Sequence, residues 1–450
     1  MKNHIFALCL SLLTGSLLGQ TKTANNMNFN RLLNKGIESY NAERYNEALE
    51  SFKRAEAINP EPWKLNYWMA ACYYELTSYL TAETYITNAV NNLKENEDAE
   101  ATFYELQGKI NHRIGKVDNA IMAFKKASIL MGTKVAKEYG IALYIEQCER
   151  MIQANKAGIV NLRKPLSVQL NSLEEEYAPI LCDSGAVLFF TARRPETTGE
   201  KINPDDSKYF EDVYLAVWNP ITSDYDIDYN FFQNINTNGF DALSYVNSNG
   251  TYALMTVNTS SAEKTTKSSD LFEINTDSPF SWELPIAIKS KNLNTDFFEG
   301  SATCTENGIN GDFLVFTSDR KADISGLDLF QCSKNEGIFG EVTALPKTVN
   351  SEGNETTPFI TSDGMYLFFS SDELPGYGGY DIFYSSNENG IWSLPVNLGP
   401  EVNTVNNDTH FNIDLKTKRA VFASLAEKDS FFSYDLFMVD LKDKDFPFFK

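Results

Sequence analysis

The sequence predicts an α + β multidomain chain: an N-terminal α-helical solenoid followed by an all-β propeller, with five blades favoured and six as the alternative. Three observations predict it. Ala48, Ala82 and Ala120 recur at steps of 34 and 38 residues inside a stretch poor in Gly and Pro, where the apolar spacing is helical. Beyond Gly158 the composition turns to Asn, Thr, Ser, Gly and aromatics, in short alternating runs bounded by turn residues. Within those runs Asp212, Asp270, Asp328, Asp381 and Asp435 recur at steps of 58, 58, 53 and 54 residues, each opening a similar strand.

The chain starts MKNHIFALCLSLLTGSLLGQ, with Lys2 as a minimal basic region, an apolar stretch from Ile5 to about Leu18 and Gly19 as a small residue before cleavage. This reads as a signal peptide over 1–19, followed by a linker over 20–27, the helical repeats over 28–157 and the propeller over 158–450. The expectation is an exported protein, periplasmic or associated with the outer membrane, with secretion beyond it as a further option. No later apolar run reaches the roughly 20 residues a spanning helix needs, so membrane association is expected only through partners. Cys9 lies inside the apolar stretch rather than at its end, which disfavours a lipid anchor.

The 450 residues, 42% of them hydrophobic and 22% charged, are those of a folded chain. Lys and Arg total 39 against 61 Asp and Glu, a formal net charge of −22 that repels phosphate backbones, so nucleic acid is not expected as a partner. Beyond the leader stand Cys72, Cys148, Cys182, Cys304 and Cys332, an odd number without CxxC spacing. A disulfide framework or zinc site is therefore not expected; the thiols read as small buried residues. No cofactor motif is present, and nothing bears on oligomeric state.

In KGIESYNAERYNEALESFKRAEAINP, residues Gly36, Tyr45, Ala48, Phe52, Ala55 and Pro60 alternate small and large packing positions over one helix-turn-helix unit. Tyr73, Tyr79, Ala82, Ile86 and Ala89 form a second copy, and Gly108, Ala120, Phe124 and Ala127 a third, with about four residues inserted around LKENED. Val135 to Gln153 reads as a capping helix. This stretch resembles tetratricopeptide repeats. The resemblance implies a concave face that holds a peptide or protein segment, carried here by Leu33, Ile37, Tyr40, Tyr67, Tyr74, Lys109 and His112. The competing reading is that this face is a spacer or packs on a neighbouring surface.

The fourth β copy, TTPFITSDGMYLFFSSDELPGYGGYDIFYSSNENGIWSLPVNL, divides into four strands: Thr357–Ile360, Met365–Ser370, Tyr380–Ser385 and Trp392–Leu398. Asp at the turn into a strand can accept hydrogen bonds from nearby backbone N–H groups, so the five repeated aspartates read as structural rather than catalytic or metal-binding. The aromatics two residues on, Tyr214, Phe272, Phe330, Phe383 and Phe437, are expected to pack between blades. The last copy has little room for an outer strand, whereas IVNLRKPLSVQLNS before the first copy mimics PVNLGPEVNT, so the N-terminal strand is expected to close the final blade.

This half resembles TolB-like, WD-repeat-like propellers through TSDGMYLFFSSD and LVFTSDR followed by GYDIFYSS and GLDLFQC. Repeats followed by such a propeller resemble the front part of Bacteroidetes-type envelope proteins, including the OmpA-like family associated with type IX secretion and gliding, without the β-sandwich and OmpA-like domain those carry. The resemblance implies a non-catalytic scaffold or adaptor of the cell envelope, with protein partners. A glycan- or small-ligand-binding propeller is the alternative, because exposed aromatics such as those of ELPGYGGY can stack on sugars. Calcium at the acidic loops NPDDSKYFED and SDYDID competes with ordinary solvation, and no metal residue is assigned. An enzyme is not expected: no GxSxG elbow is present, and the histidines are only His4, His112 and His410.

Overall fold

The computed structural model describes residues 25–94, 99–198, 202–203, 206–229, 235–259, 268–290, 292–308, 311–320, 326–335 and 337–449. The leader, most of the linker and part of LKENED lie outside them. The chain divides into two compact units, one of residues 1–145 with 429–432 and the other of residues 146–428 with 433–450.

Among the described residues the first part holds seven helices: α1 (25–41), α2 (Tyr45–Glu56), α3 (Trp63–Glu75), α4 (Tyr79–Asn92), α5 (Ala101–Arg113), α6 (Val117–Glu138) and α7 (Ile141–Lys156). The first helix of each repeat stops the same way. Glu43, Thr77 and Gly115 take left-handed φ of 59°, 54° and 75°, and the next N–H reaches back five residues, Arg44 to the Ser39 carbonyl, Ser78 to Tyr73 and Lys116 to Asn111. That turn satisfies terminal carbonyls and sends the second helix back antiparallel. Helix pairing then depends on size. A Cβ on Gly36 would lie 2.2 Å from the Phe52 ring, and one on Gly108 would lie 2.5 Å from Phe124. The second repeat carries Ala70 instead, buried with the smaller Ile86 in one cluster. α6 kinks at Gly132 (φ 74°, ψ 162°).

The second part is a five-bladed propeller, every described strand pairing antiparallel. β1 (Lys164–Pro165) precedes the first blade, β2 (Glu176–Cys182), β3 (Val187–Ala192), β4 (Asp212–Asn219) and β5 (Asp224–Ile227). The second blade is β6 (Phe240–Val246), β7 (Tyr252–Asn258), β8 (Asp270–Asn275) and β9 (Ile286–Ala287). In the third, β10 (Glu299–Cys304), β11 (Phe313–Ser318) and β12 (Asp328–Asn335) are followed by two short strands that both pair with β12, β13 (Ile338–Phe339) and β14 (Thr343–Ala344). The fourth repeats this with β15 (Glu355–Ile360), β16 (Tyr366–Ser371), β17 (Asp381–Glu388), β18 (Ile391–Trp392) and β19 (Val396–Asn397). The fifth is β20 (Asp408–Asp414), β21 (Arg419–Glu427) and β22 (Phe432–Asp440), completed by β1 through Lys164 opposite Met438 and Pro165 opposite Phe437. The ring thus closes with an N-terminal strand, and its blade number is five rather than six.

Aromatic and aliphatic side chains fill the space between blades, as in the cluster of Phe368, Tyr384, Phe411, Phe422, Phe437 and Phe448. Tyr214, Phe330, Phe383 and Phe437 are buried there and Phe272 is half-buried. The repeated aspartates are less uniform than the sequence suggests. Asp212 accepts the Thr198 N–H (2.5 Å) and Asp381 the Tyr377 N–H (2.5 Å), whereas Asp435 pairs with the Lys428 ammonium. Asp270 is only partly covered, and Asp328 is half-buried. One repeated sequence position therefore serves different local settings, because the loop ahead of each strand differs.

A second repeated device, missed in the sequence reading, joins blade to blade. Asn171, Asn236, Asn294, Asn350 and Asn403 each accept the N–H and donate to the C=O of the residue just after a repeated aspartate: Leu436, Val213, Leu271, Leu329 and Ile382, at 2.8–3.0 Å. Next to each Asn a Ser or Thr donates its N–H and hydroxyl to an acid four residues on: Ser172 to Glu176, Thr237 to Asp241, Thr295 to Glu299, Ser351 to Glu355 and Thr404 to Asp408. All five acids are fully buried. Arg194, Arg320 and Arg163 compensate Glu176, Glu299 and Asp408. Burial pushes Glu176 and Asp241 up to about 7.

Candidate functional site

In the first unit α1, α3, α5 and the first turn of α7 lie in sequence across one face, and the contacts between them define it. Tyr40 on α1 sets its ring edge-on to Trp68 of α3 at 5.1 Å and donates its hydroxyl to Glu75 at 3.4 Å. Tyr67 on α3 stacks on Phe103 of α5 at 5.8 Å. Lys109 on α5 pairs with Glu105 one turn back at 2.5 Å and lies 5.4 Å over the Tyr144 ring of α7. Tyr74 hydrogen-bonds Arg113 and sets its ring 5.3 Å from Tyr79. Burial and the neighbouring Glu75 carboxylate hold the Tyr40 phenol above the usual tyrosine range, so it stays a neutral donor.

The predicted residues do not all present a surface. Tyr40, Tyr67, Tyr74 and Lys109 are half-buried, with Leu33 and Ile37 packed at the rim of the α1–α3 core. His112 is 2% exposed and meets Tyr144 edge-on at 6.4 Å, so it braces α5 on α7 instead of facing a ligand. The alignment of the repeats placed it on the open face, but Tyr144 at the start of α7 covers it there. Glu75, Glu105, Arg113 and Tyr144 belong to the same face and were not predicted. Glu75 and Arg113 directly follow the predicted Tyr74 and His112, which is the signal that could have found them.

In the propeller the inner strands β2, β6, β10, β15 and β20 surround a central channel. A narrow section of about 40 Å³ is lined by Ala178, Leu243, Ser301, Thr357 and His410, one from each blade. Four of these have left-handed φ, Ala178 50°, Ser301 49°, Thr357 50° and His410 54°, each at a bulge where the strand register slips. At one end the channel widens into a cavity of about 590 Å³, lined among others by Glu175, Tyr177, Glu211, Phe240, Tyr380 and Tyr434. The Tyr177 hydroxyl bonds the Glu211 carboxylate, and burial holds that carboxyl above the usual range, against the pull of Arg193. His410 donates its backbone N–H to Thr357 Oγ1 at 3.1 Å, and burial pushes its imidazole down to about 4, so it is neutral at physiological pH. Among the described residues no group of three or more His, Cys, Asp or Glu is arranged to hold a metal ion. No described helix is long and apolar enough to cross a membrane.

No protein-family model and no curated relative matches the chain. Solved structures similar to the helical part include the second TPR domain of the human RPAP3 protein in complex with an HSP70 peptide, 19% identical over 28% of this chain and 98% of that one, with a TM-score of 0.24. For the propeller part they include the native Bacillus subtilis arabinanase, 13% identical over 60% and 95% of the two chains (TM-score 0.37). The β-1,2-mannobiose phosphorylase of Listeria innocua is 10% identical over 63% and 92% (TM-score 0.39). At these values no residue role carries across.

The helical part is thus a set of tetratricopeptide-like repeats and the β part a five-bladed propeller. The expectation that the chain is not an enzyme is withdrawn, because the propeller part resembles a glycoside hydrolase and a phosphorylase, which are enzymes. The reasoning behind it was too narrow. A missing GxSxG elbow and scarce histidine exclude Ser-His-Asp chemistry, but they say nothing about carboxylates and phenols gathered in a channel mouth.

Proposed function

We propose that this chain is an interaction protein of the bacterial cell envelope, exported and periplasmic or associated with the outer membrane, whose helical face holds a segment of a protein partner. The partner belongs to outer-membrane or type IX secretion assemblies. The observation that carries the reading is the continuous face over α1, α3 and α5, where Tyr40, Tyr67 and Tyr74 offer ring surface beside the charged groups of Glu75 and Lys109. Rings with polar tips give contact area at low entropic cost, and interspersed charges fix the register of an extended segment. The envelope setting rests on the leader-like start of the sequence and on the order of repeats followed by a propeller.

A photo-crosslinking side chain placed at Ile37 or Lys109 of the tagged full chain, in its own cells, tests this against the same group at exposed Lys125 on α6. Adducts with one envelope protein from the first two positions, lost in Tyr40→Ala, are expected. Equal labelling from Lys125, or none from Ile37 and Lys109, would remove the helical face from the account.

A further inference from the structure

The residue immediately before each repeated aspartate lines the wide mouth of the channel: Glu211, Ser269, Leu327, Tyr380 and Tyr434. In four of the five cases its backbone is held by the next blade, because its carbonyl accepts the N–H of the buried acid there. Asp241 donates to Glu211, Glu299 to Ser269, Glu355 to Leu327 and Asp408 to Tyr380, at 2.7–3.0 Å. The ring fixes the backbone at this position, while the side chains differ and are held individually: the Tyr434 hydroxyl accepts from Asn407 at 3.1 Å, the Tyr380 phenol bonds Asp372 and Glu211 accepts from Tyr177. One repeated backbone position thus brings an acid, a hydroxyl, an aliphatic group and two phenols to a single mouth.

Two properties of the mouth select the ligand. Its charged residues, among those described, are Glu175 and Glu211, with no Lys or Arg in the lining and His410 kept neutral. Around them stand the rings of Tyr177, Phe240, Phe298, Tyr380 and Tyr434. A carboxylate withdrawn from water beside aromatic faces is unfavourable when empty and becomes favourable when a cation enters, through charge pairing and ring quadrupoles together. We propose that the propeller mouth binds an organic cation, an ammonium or guanidinium group, with Glu211 as its counter-ion and the tyrosines as its walls. The source is either a free small amine or a basic side chain of a partner. This site is independent of the helical face.

The groups facing Glu211 are Tyr177 from β2, Arg193 and Asp206 from the loop between β3 and β4, Glu175 ahead of β2, and Asp241 from β6. Arg193 is already engaged by Asp206 at 2.7 Å and by the Tyr209 carbonyl at 2.7 Å, and Glu175 is paired with Lys208 at 2.7 Å and lies 3.7 Å from Arg193, which leaves Glu211 as the carboxylate to meet an incoming cation. A bound cation holds Glu211 ionised, so binding expels a proton from any protonated fraction and tightens as pH rises.

Calorimetric titration of the full chain with N-acetyl-lysine methylamide and N-acetyl-arginine methylamide, at about pH 6 and about pH 8, tests it. N-acetyl-norleucine methylamide and cellobiose serve as uncharged probes and tri-lysine as the peptide probe. Saturable binding of the cations is expected, tighter at the higher pH, weakened about tenfold or more in Glu211→Gln and unchanged in the exposed-site variant Glu388→Gln. Leu327→Lys, which places an internal cation in the mouth, abolishes binding and decides the matter if Glu211→Gln does not fold. Tri-lysine binding more tightly than the blocked amino acids assigns a partner's side chain, and equal binding assigns a free amine. Failure of both cations to saturate, or equal or better binding of norleucine or cellobiose, overturns the proposal.

Discussion

Replacing Gly108 with alanine sets two effects of known size against each other. In an open helix interior the change favours the folded state by about 1 kcal/mol, since glycine loses the most backbone freedom. In α5 the new methyl would sit 2.5 Å from two carbons of the Phe124 ring and 2.9 Å from a third, where ordinary contact begins near 3.4 Å, so helix or ring must move by about 1 Å. Overpacking of this kind costs about 1–3 kcal/mol, which leaves a net loss of about 1 kcal/mol. The second repeat shows the remedy, with Ala70 beside the smaller Ile86. Gly108→Ala combined with Phe124→Ile is therefore expected to be more stable than the sum of the two single changes, by about 1 kcal/mol of coupling. Denaturant melts of the full chain, followed by helical ellipticity, report the helical repeats. If Gly108→Ala stabilises by the full propensity gain, or the double variant shows no coupling, the size rule for helix pairing fails.

Three other predictions concern the propeller. Asp241 has its carboxyl raised to about 7 by burial, so its contribution to stability is fully present below the unfolded-state value near 4 and is lost as pH rises through about 7. Melts followed by tryptophan fluorescence should weaken from about pH 4 to about pH 8 in the natural chain, and this slope should be shallower in Asp241→Asn. Asn350→Ala leaves the Leu329 N–H and C=O without their side-chain partner and is expected to cost about 3 kcal/mol; a loss under about 1 kcal/mol would deny the Asn bridges their structural role. Arg194→Met strands the fully buried Glu176 carboxylate wherever that group is ionised, and thermal unfolding should show its largest loss, about 3–5 kcal/mol, above about pH 8, shrinking as the pH falls and Glu176 takes up its proton.

The sequence by itself determined the two-part architecture, the positions of the paired helices and the strand-opening aspartates. All of these rest on interactions within about 40 residues, so periodicity records them. Gly36 with Phe52 is legible for that reason, and so is the similarity between the strand ahead of the first blade and the one ahead of the fifth. Only the tertiary structure decided that the ring has five blades, since closure pairs Lys164 with Met438 across the whole β domain. It also decided that His112 faces α7, that five acids spaced along the chain are all dry, and that Glu211, Ser269, Leu327, Tyr380 and Tyr434 meet around one mouth. Burial and convergence onto an axis depend on every blade at once. A residue's own neighbours in sequence cannot report them.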